Sequence, residues 1–155
     1  MFGYDTGIVA GAQLYLDDTW PDITTEQVEL VVSLATLGAF VGAIVAGPMS
    51  DKIGRKPVII LADILFTAGS VMMYFAPTIP ILMGARIIVG LGIGLASQIV
   101  PIYLSEVCPA EVRGAVVAVD ILFITGGQFI SSIISLALGS NWRLMLGLAA
   151  VPSAL

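Results

Sequence analysis

The 155-residue sequence contains no histidine and one cysteine, Cys108. Without histidine, neither a His-based catalytic triad nor a His-rich metal site is available. One cysteine permits no internal disulfide. Cys108 lies two residues after Glu106, beside a predicted inner loop, and reads as a small reduced thiol at a helix end. Charge is scarce too. Only 11% of the residues are charged, against about 25% in soluble domains. There is no nucleophile–base set, no metal-ligating cluster and no low-complexity stretch, so the chain reads as neither an enzyme nor a metalloprotein, and no cofactor is implied. The formal charge of -5 does not mark an acidic tail or a nucleic-acid partner. Five of its eleven acids cluster in one loop, at Asp17, Asp18, Asp22, Glu26 and Glu29, which is a feature of topology.

What fills the chain is apolar sequence. Hydrophobic residues make up 58% of it, and the mean hydropathy is +1.05. The runs Val28 to Ala46 and Val58 to Ala76 each approach the roughly 20 residues that carry a helix across a bilayer. Further runs extend the pattern, with spans predicted over roughly 1–16, 28–47, 58–76, 81–104, 115–138 and 144–155. The expected fold is an all-α membrane protein, five spans plus the start of a sixth, forming one partial domain over 1–155. The opening segment is not a signal peptide, because it lacks a basic leader and Asp5 interrupts its apolar stretch. Both ends fall within apolar helices, so the expectation is a piece of a larger protein.

Between the second and third spans lies Gly47-Pro-Met-Ser-Asp51-Lys-Ile-Gly54-Arg55-Lys56-Pro57. A basic turn between two spans marks the cytoplasmic side. Alternation then places Lys52, Arg55, Lys56 and Arg113 inside and Arg143 outside. Small residues recur at four-residue spacing in Gly3, Gly7 and Gly11, in Gly38, Gly42 and Ala46, and in Gly90 and Gly94. Such faces let helices approach closely in lipid. The run Gly90-Leu-Gly92-Ile-Gly94 sits inside an apolar span with no preceding strand, so it reads as helix packing rather than a phosphate loop.

A few polar residues remain within the spans. Asp5 is expected about 17 Å below the outer end of its helix, from roughly 11 residues at the helical rise. A carboxylate at that depth is costly and usually functional. Arg86, on the fourth span, is its natural intramembrane partner. A carboxylate beside a guanidinium stays ionised; withdrawn into an apolar surround, it takes a proton. Such a pair can couple a proton to a conformational change, or serve as a permanent structural ion pair. Gln128, mid-span in the fifth helix, and Gln98, lower in the fourth, carry amides that both donate and accept. That chemistry suits hydroxyl-rich ligands, and equally an interhelical hydrogen bond. Asp63 and Asp120 are expected nearer the inner surface, as partners of the basic loops.

Several stretches together resemble the sugar porters of the major facilitator superfamily. They are Phe2-Gly-Tyr-Asp-Thr-Gly7, Gly47 to Lys56, Ala85-Arg86-Ile-Ile-Val-Gly-Leu-Gly92, Pro101-Ile-Tyr103-Leu-Ser-Glu106 through Arg113-Gly114, Gly127-Gln128 and Trp142-Arg143. The stretch Asp120 to Phe129 is similar to the inositol branch, with Asp120 where asparagine is usual. The resemblance implies the N-terminal helix bundle of a twelve-helix transporter. It further implies that Asp5 is a proton-coupling acid paired with Arg86 and that Gln128 contacts the sugar. Asp51, Arg55, Glu106 and Arg113 would form a charge network closing the cytoplasmic side.

The reading is therefore transmembrane transport of a sugar or polyol by alternating access, with proton-coupled myo-inositol symport in first place. The alternatives are a hexose symporter or facilitator and a non-transporting sugar sensor of the same fold. The implied partners are the substrate, a proton, the lipid bilayer and a C-terminal half, with the plasma membrane as the expected location and an organelle membrane as the alternative.

Overall fold

The computed structural model describes residues 2–13 and 24–138. The acidic loop around Asp17 and Asp18, the turn at Trp142-Arg143 and the apolar run 144–155 lie outside the described residues. Five helices follow one another: α1 (Phe2–Gln13), α2 (Thr25–Ile53), α3 (Arg55–Tyr74), α4 (Ile79–Val107) and α5 (Arg113–Leu138). There is no strand among the described residues. Helices α2 to α5 are each long and apolar enough to cross a membrane.

Helix α2 begins at Thr24, whose backbone N–H donates to Gln27 Oε1 at 3.2 Å. That bond satisfies one donor that helix geometry leaves free. The helix runs 29 residues, about 43 Å at the helical rise, so it overshoots a hydrocarbon core of about 30 Å. The charged stretch expected to be a turn over 47–57 is consequently mostly helical. Pro48 is accommodated within α2, although it withdraws one donor from the ladder. The chain breaks at Gly54 alone, where φ is 90° and ψ is 164°. A side chain there would be strained, and glycine is not.

Helix α4 is the hub. One face packs along α2 and another along α3, while α1 packs along α5. Contact is close where the small-residue faces meet. A Cβ on Gly42 would lie 3.2 Å from Gly94 Cα, and one on Gly90 would run into the Ala35 carbonyl. With no hydrophobic drive between helices in lipid, this backbone proximity is what holds the pair. Leu82, Ala85, Val89 and Ile93 of α4 are buried with Ile8, Val31, Phe66 and Met73. A second cluster nearer the inner end joins Ala46, Val58, Ala62, Leu95 and Ile99. The outward apolar side chains stay uncovered, including Phe40 on α2 and Leu122, Phe123 and Leu136 on α5, the last 84% exposed. In water such a surface would aggregate; it fits an apolar solvent.

Candidate functional site

Asp5 and Arg86 come from the two halves of this arrangement, α1 and α4. Arg86 lies seven residues into α4, which starts at Ile79, about 10 Å from that end. Its Nη1 stands 3.6 Å from Asp5 Oδ1, with the two side chains 2% and 5% exposed. At that separation the charges attract strongly in an apolar surround, yet they are too far apart to share a hydrogen bond. Asp5 Oδ1, Arg86 Nη1 and Arg86 Nε in fact make no hydrogen bond. The pair is buried, opposite in charge and in contact without a hydrogen bond.

The pair faces a cavity of about 330 Å³ lined by Asp5, Thr6, Val9, Thr36, Arg86 and Ile93, with Val32, Ala35 and Ala39 completing its α2 wall. Thr6 and Thr36 have hydroxyls in this lining that sequence reading passed over. Their only sequence signal is a polar residue inside an apolar run, which is common in membrane helices.

The two glutamines are not in that lining. Gln128 is half-buried on α5, in the turn that packs against Gly7. Its backbone carbonyl accepts from Ser131 Oγ at 2.7 Å and Ser132 Oγ at 2.9 Å. Gln98 is exposed on α4.

At the inner end, three of the four charges expected to form a network do meet. Arg55 Nη1 lies 3.2 Å from Asp51 Oδ1, and its Nη2 lies 3.1 Å from Glu106 Oε1. Nη1 also donates to the Ser50 carbonyl at 3.3 Å. Arg55 thereby ties the α2–α3 corner to the end of α4. Arg113 is exposed at the start of α5 and makes no ion pair among the described residues. Asp63 and Asp120 do not pair with the basic loops as expected. They line a cavity of about 500 Å³ between α3, α4 and α5, together with Ser97, Pro101 and Phe123. Both sit about two turns along their helices from the loops, too far to reach the loop cations.

A multi-pass bundle with a buried acid–base pair and a salt-bridged inner end has the build of a membrane transporter. The chain belongs to the sugar (and other) transporter family, whose model matches residues 1–155. It is 45% identical to probable inositol transporter 2 of Arabidopsis thaliana, over 100% of this chain and 28% of that protein. It is also 45% identical to the proton myo-inositol cotransporter of Homo sapiens, over 99% of this chain and 24% of that protein. The chain thus spans roughly a quarter of these relatives' length. Among solved structures, the inward-open xylose transporter XylE from E. coli superposes with a TM-score of 0.89 at 24% identity, over 99% of this chain and 43% of that one. The fold is that of the major facilitator superfamily, and the protein is an integral, multi-pass membrane protein of a transporter family, not an enzyme.

Proposed function

We propose that this chain is the N-terminal bundle of a proton-coupled symporter for a polyol or sugar, with myo-inositol as its substrate. The observation that carries this reading is the Asp5–Arg86 pair, 3.6 Å apart and almost wholly buried. In the state described here the guanidinium stabilises an ionised Asp5. When alternating access draws α1 from α4, Asp5 is left in an apolar surround without its counter-charge, and a proton replaces it. Binding and release of that proton bias the two access states. The likeness to a protein named proton myo-inositol cotransporter supports both proton and substrate. Gln128, on a helix that packs along α1, supplies a two-way hydrogen-bonding amide for a substrate hydroxyl. Asp51, Arg55 and Glu106 hold the cytoplasmic end closed while the outer side is open, with Arg113 joining them as α5 moves inward. The remainder of the transporter supplies the opposite wall of the substrate site, and the whole resides in the plasma membrane.

The test is uptake by the full-length protein in sealed vesicles. Asp5→Asn keeps the shape of the side chain but releases no proton. It should abolish uphill myo-inositol accumulation driven by a pH gradient, while exchange of labelled for unlabelled substrate persists. Accumulation by Asp5→Asn would remove Asp5 from coupling. Equal competition by glucose would replace inositol with a hexose, and wild-type uptake indifferent to the gradient would leave a facilitator.

A further inference from the structure

The α2 wall of the cavity beside Asp5 and Arg86 carries one polar side chain, Thr36. Hydroxyls elsewhere in these helices bond back to their own backbone. Thr67 donates to the Asp63 carbonyl, Ser70 to Phe66, Ser97 to Gly94 and Thr125 to Ile121. Thr36 is exposed and makes no hydrogen bond among the described residues, although the Val32 carbonyl stands in the same position for it. Across the same cavity, Asp5 Oδ1, Arg86 Nη1 and Arg86 Nε also make none, and both side chains are more than nine-tenths buried. One unused hydroxyl, one unused carboxylate oxygen and two unused guanidinium N–H groups therefore face a common space. Of these, the Asp5 carboxylate and the Arg86 guanidinium are buried, and buried polar groups are normally satisfied, by protein or by a bound molecule. A polar cavity accepts water once it exceeds about 15 Å³ and offers two to four polar partners. This one, at about 330 Å³, meets both conditions.

We propose that Thr36 is a third member of the Asp5–Arg86 site: it anchors a hydroxylic molecule, water or one hydroxyl of the substrate, that bridges its Oγ1 to Asp5 and Arg86. Thr36 is a positioning residue. Through the bridge it donates to the carboxylate when Asp5 is ionised, and accepts when Asp5 carries a proton. It therefore links α2 to a pair contributed by α1 and α4. Among the described residues, no other ionisable side chain lines the cavity. The α2 wall carries none, α5 presents Ile124, Gln128 and Ser131 towards α1, and on α1 itself only Tyr4 adjoins Asp5.

This inference builds on the proposed coupling role of Asp5, so its test reads Asp5 directly and does not require transport. The full-length protein is purified, and the carboxyl stretch of Asp5 is followed by infrared difference spectroscopy across pH, assigned as the band absent from Asp5→Asn. Thr36→Val keeps the shape and removes the hydroxyl; Thr36→Ser keeps the hydroxyl. Thr36→Val should shift the carboxyl frequency and move the Asp5 titration midpoint by about one pH unit, the effect of losing one hydrogen bond to a charged group. Thr36→Ser should restore both. An effect seen without myo-inositol assigns the bridge to water, and one seen only with it assigns the bridge to a substrate hydroxyl. A Thr36→Val spectrum and midpoint equal to wild type would overturn the proposal. So would a change that Thr36→Ser fails to reverse, because it would show a packing effect. Failure of Asp5→Asn to affect uptake would instead count against the coupling role and leave the bridge standing.

Discussion

Asp5 and Arg86 illustrate how a buried pair behaves differently whole and broken. Together, at 3.6 Å and nearly without solvent, they offset each other's desolvation. Removing one leaves a buried charge without a partner, typically at about 3–5 kcal/mol. Arg86→Ala should therefore lower the unfolding temperature of the detergent-solubilised full-length protein markedly. The double variant Asp5→Asn with Arg86→Ala removes both charges and should recover much of that loss, while pH-driven accumulation stays absent. A double variant no more stable than Arg86→Ala would mean that the arginine contributes packing rather than charge balance. The identity of the pair is legible in the sequence, because ionisable residues inside apolar runs are few. Its lack of a hydrogen bond is not, nor is the part of Thr36, since both depend on where α1, α2 and α4 come to rest.

At the scale of elements, the α2–α4 crossing is the most constrained feature. Gly38, Gly42, Gly90 and Gly94 line it, and the four-residue spacing already announces a small-residue face. Which helices pair through those faces is set by the bundle. Two substitutions on α4 separate close contact from helix propensity. A Cβ at Gly90 would run into the Ala35 carbonyl, whereas one at Gly84 would meet nothing within 4 Å. Gly90→Val should force the helices apart and cost about 1–3 kcal/mol or more. Gly84→Ala should be neutral or stabilising by up to about 1 kcal/mol, because alanine orders the helix more cheaply. Thermal unfolding of the two variants, side by side, checks this; equal behaviour would show that the crossing tolerates a side chain. The turn at 47–57 was the least legible element. Gly, Pro and charged residues there read as a loop, but an overlong α2 carries them beyond the lipid boundary as helix, and only Gly54 breaks it.

For the whole molecule, a few cations set the orientation to be expected. Lys52, Arg55 and Lys56 sit at one end of the bundle, the end where Arg55 joins Asp51 and Glu106. Basic residues favour the cytoplasmic side. In a full-length background carrying Cys108→Ser, Lys52→Cys should resist an impermeant thiol reagent added to intact cells and react after permeabilisation, whereas Asp18→Cys, outside the described residues, should react from the exterior. Labelling of both from outside would invert or reject the topology. The inner-end ion pairs are exposed, and singly such pairs contribute little to stability. Their position, tying the α2–α3 corner to the end of α4, suits them to biasing a two-state closure instead.

Composition and spacing alone determined that this chain carries apolar helices long enough to cross a bilayer and that Asp5 and Arg86 are charges costly enough there to matter. Both follow from local quantities: length against membrane thickness and the price of an ion in hydrocarbon. Tertiary structure alone decided that Arg55 meets Asp51 and Glu106 but not Arg113, and that Asp63 and Asp120 share a cavity rather than serving the basic loops. It also decided that Thr36 faces the Asp5–Arg86 pair. Those outcomes depend on the rotation of each helix about its axis and on which small-residue faces interlock. In an apolar solvent hydrophobic periodicity marks neither, so close backbone packing and the pairing of polar groups settle them.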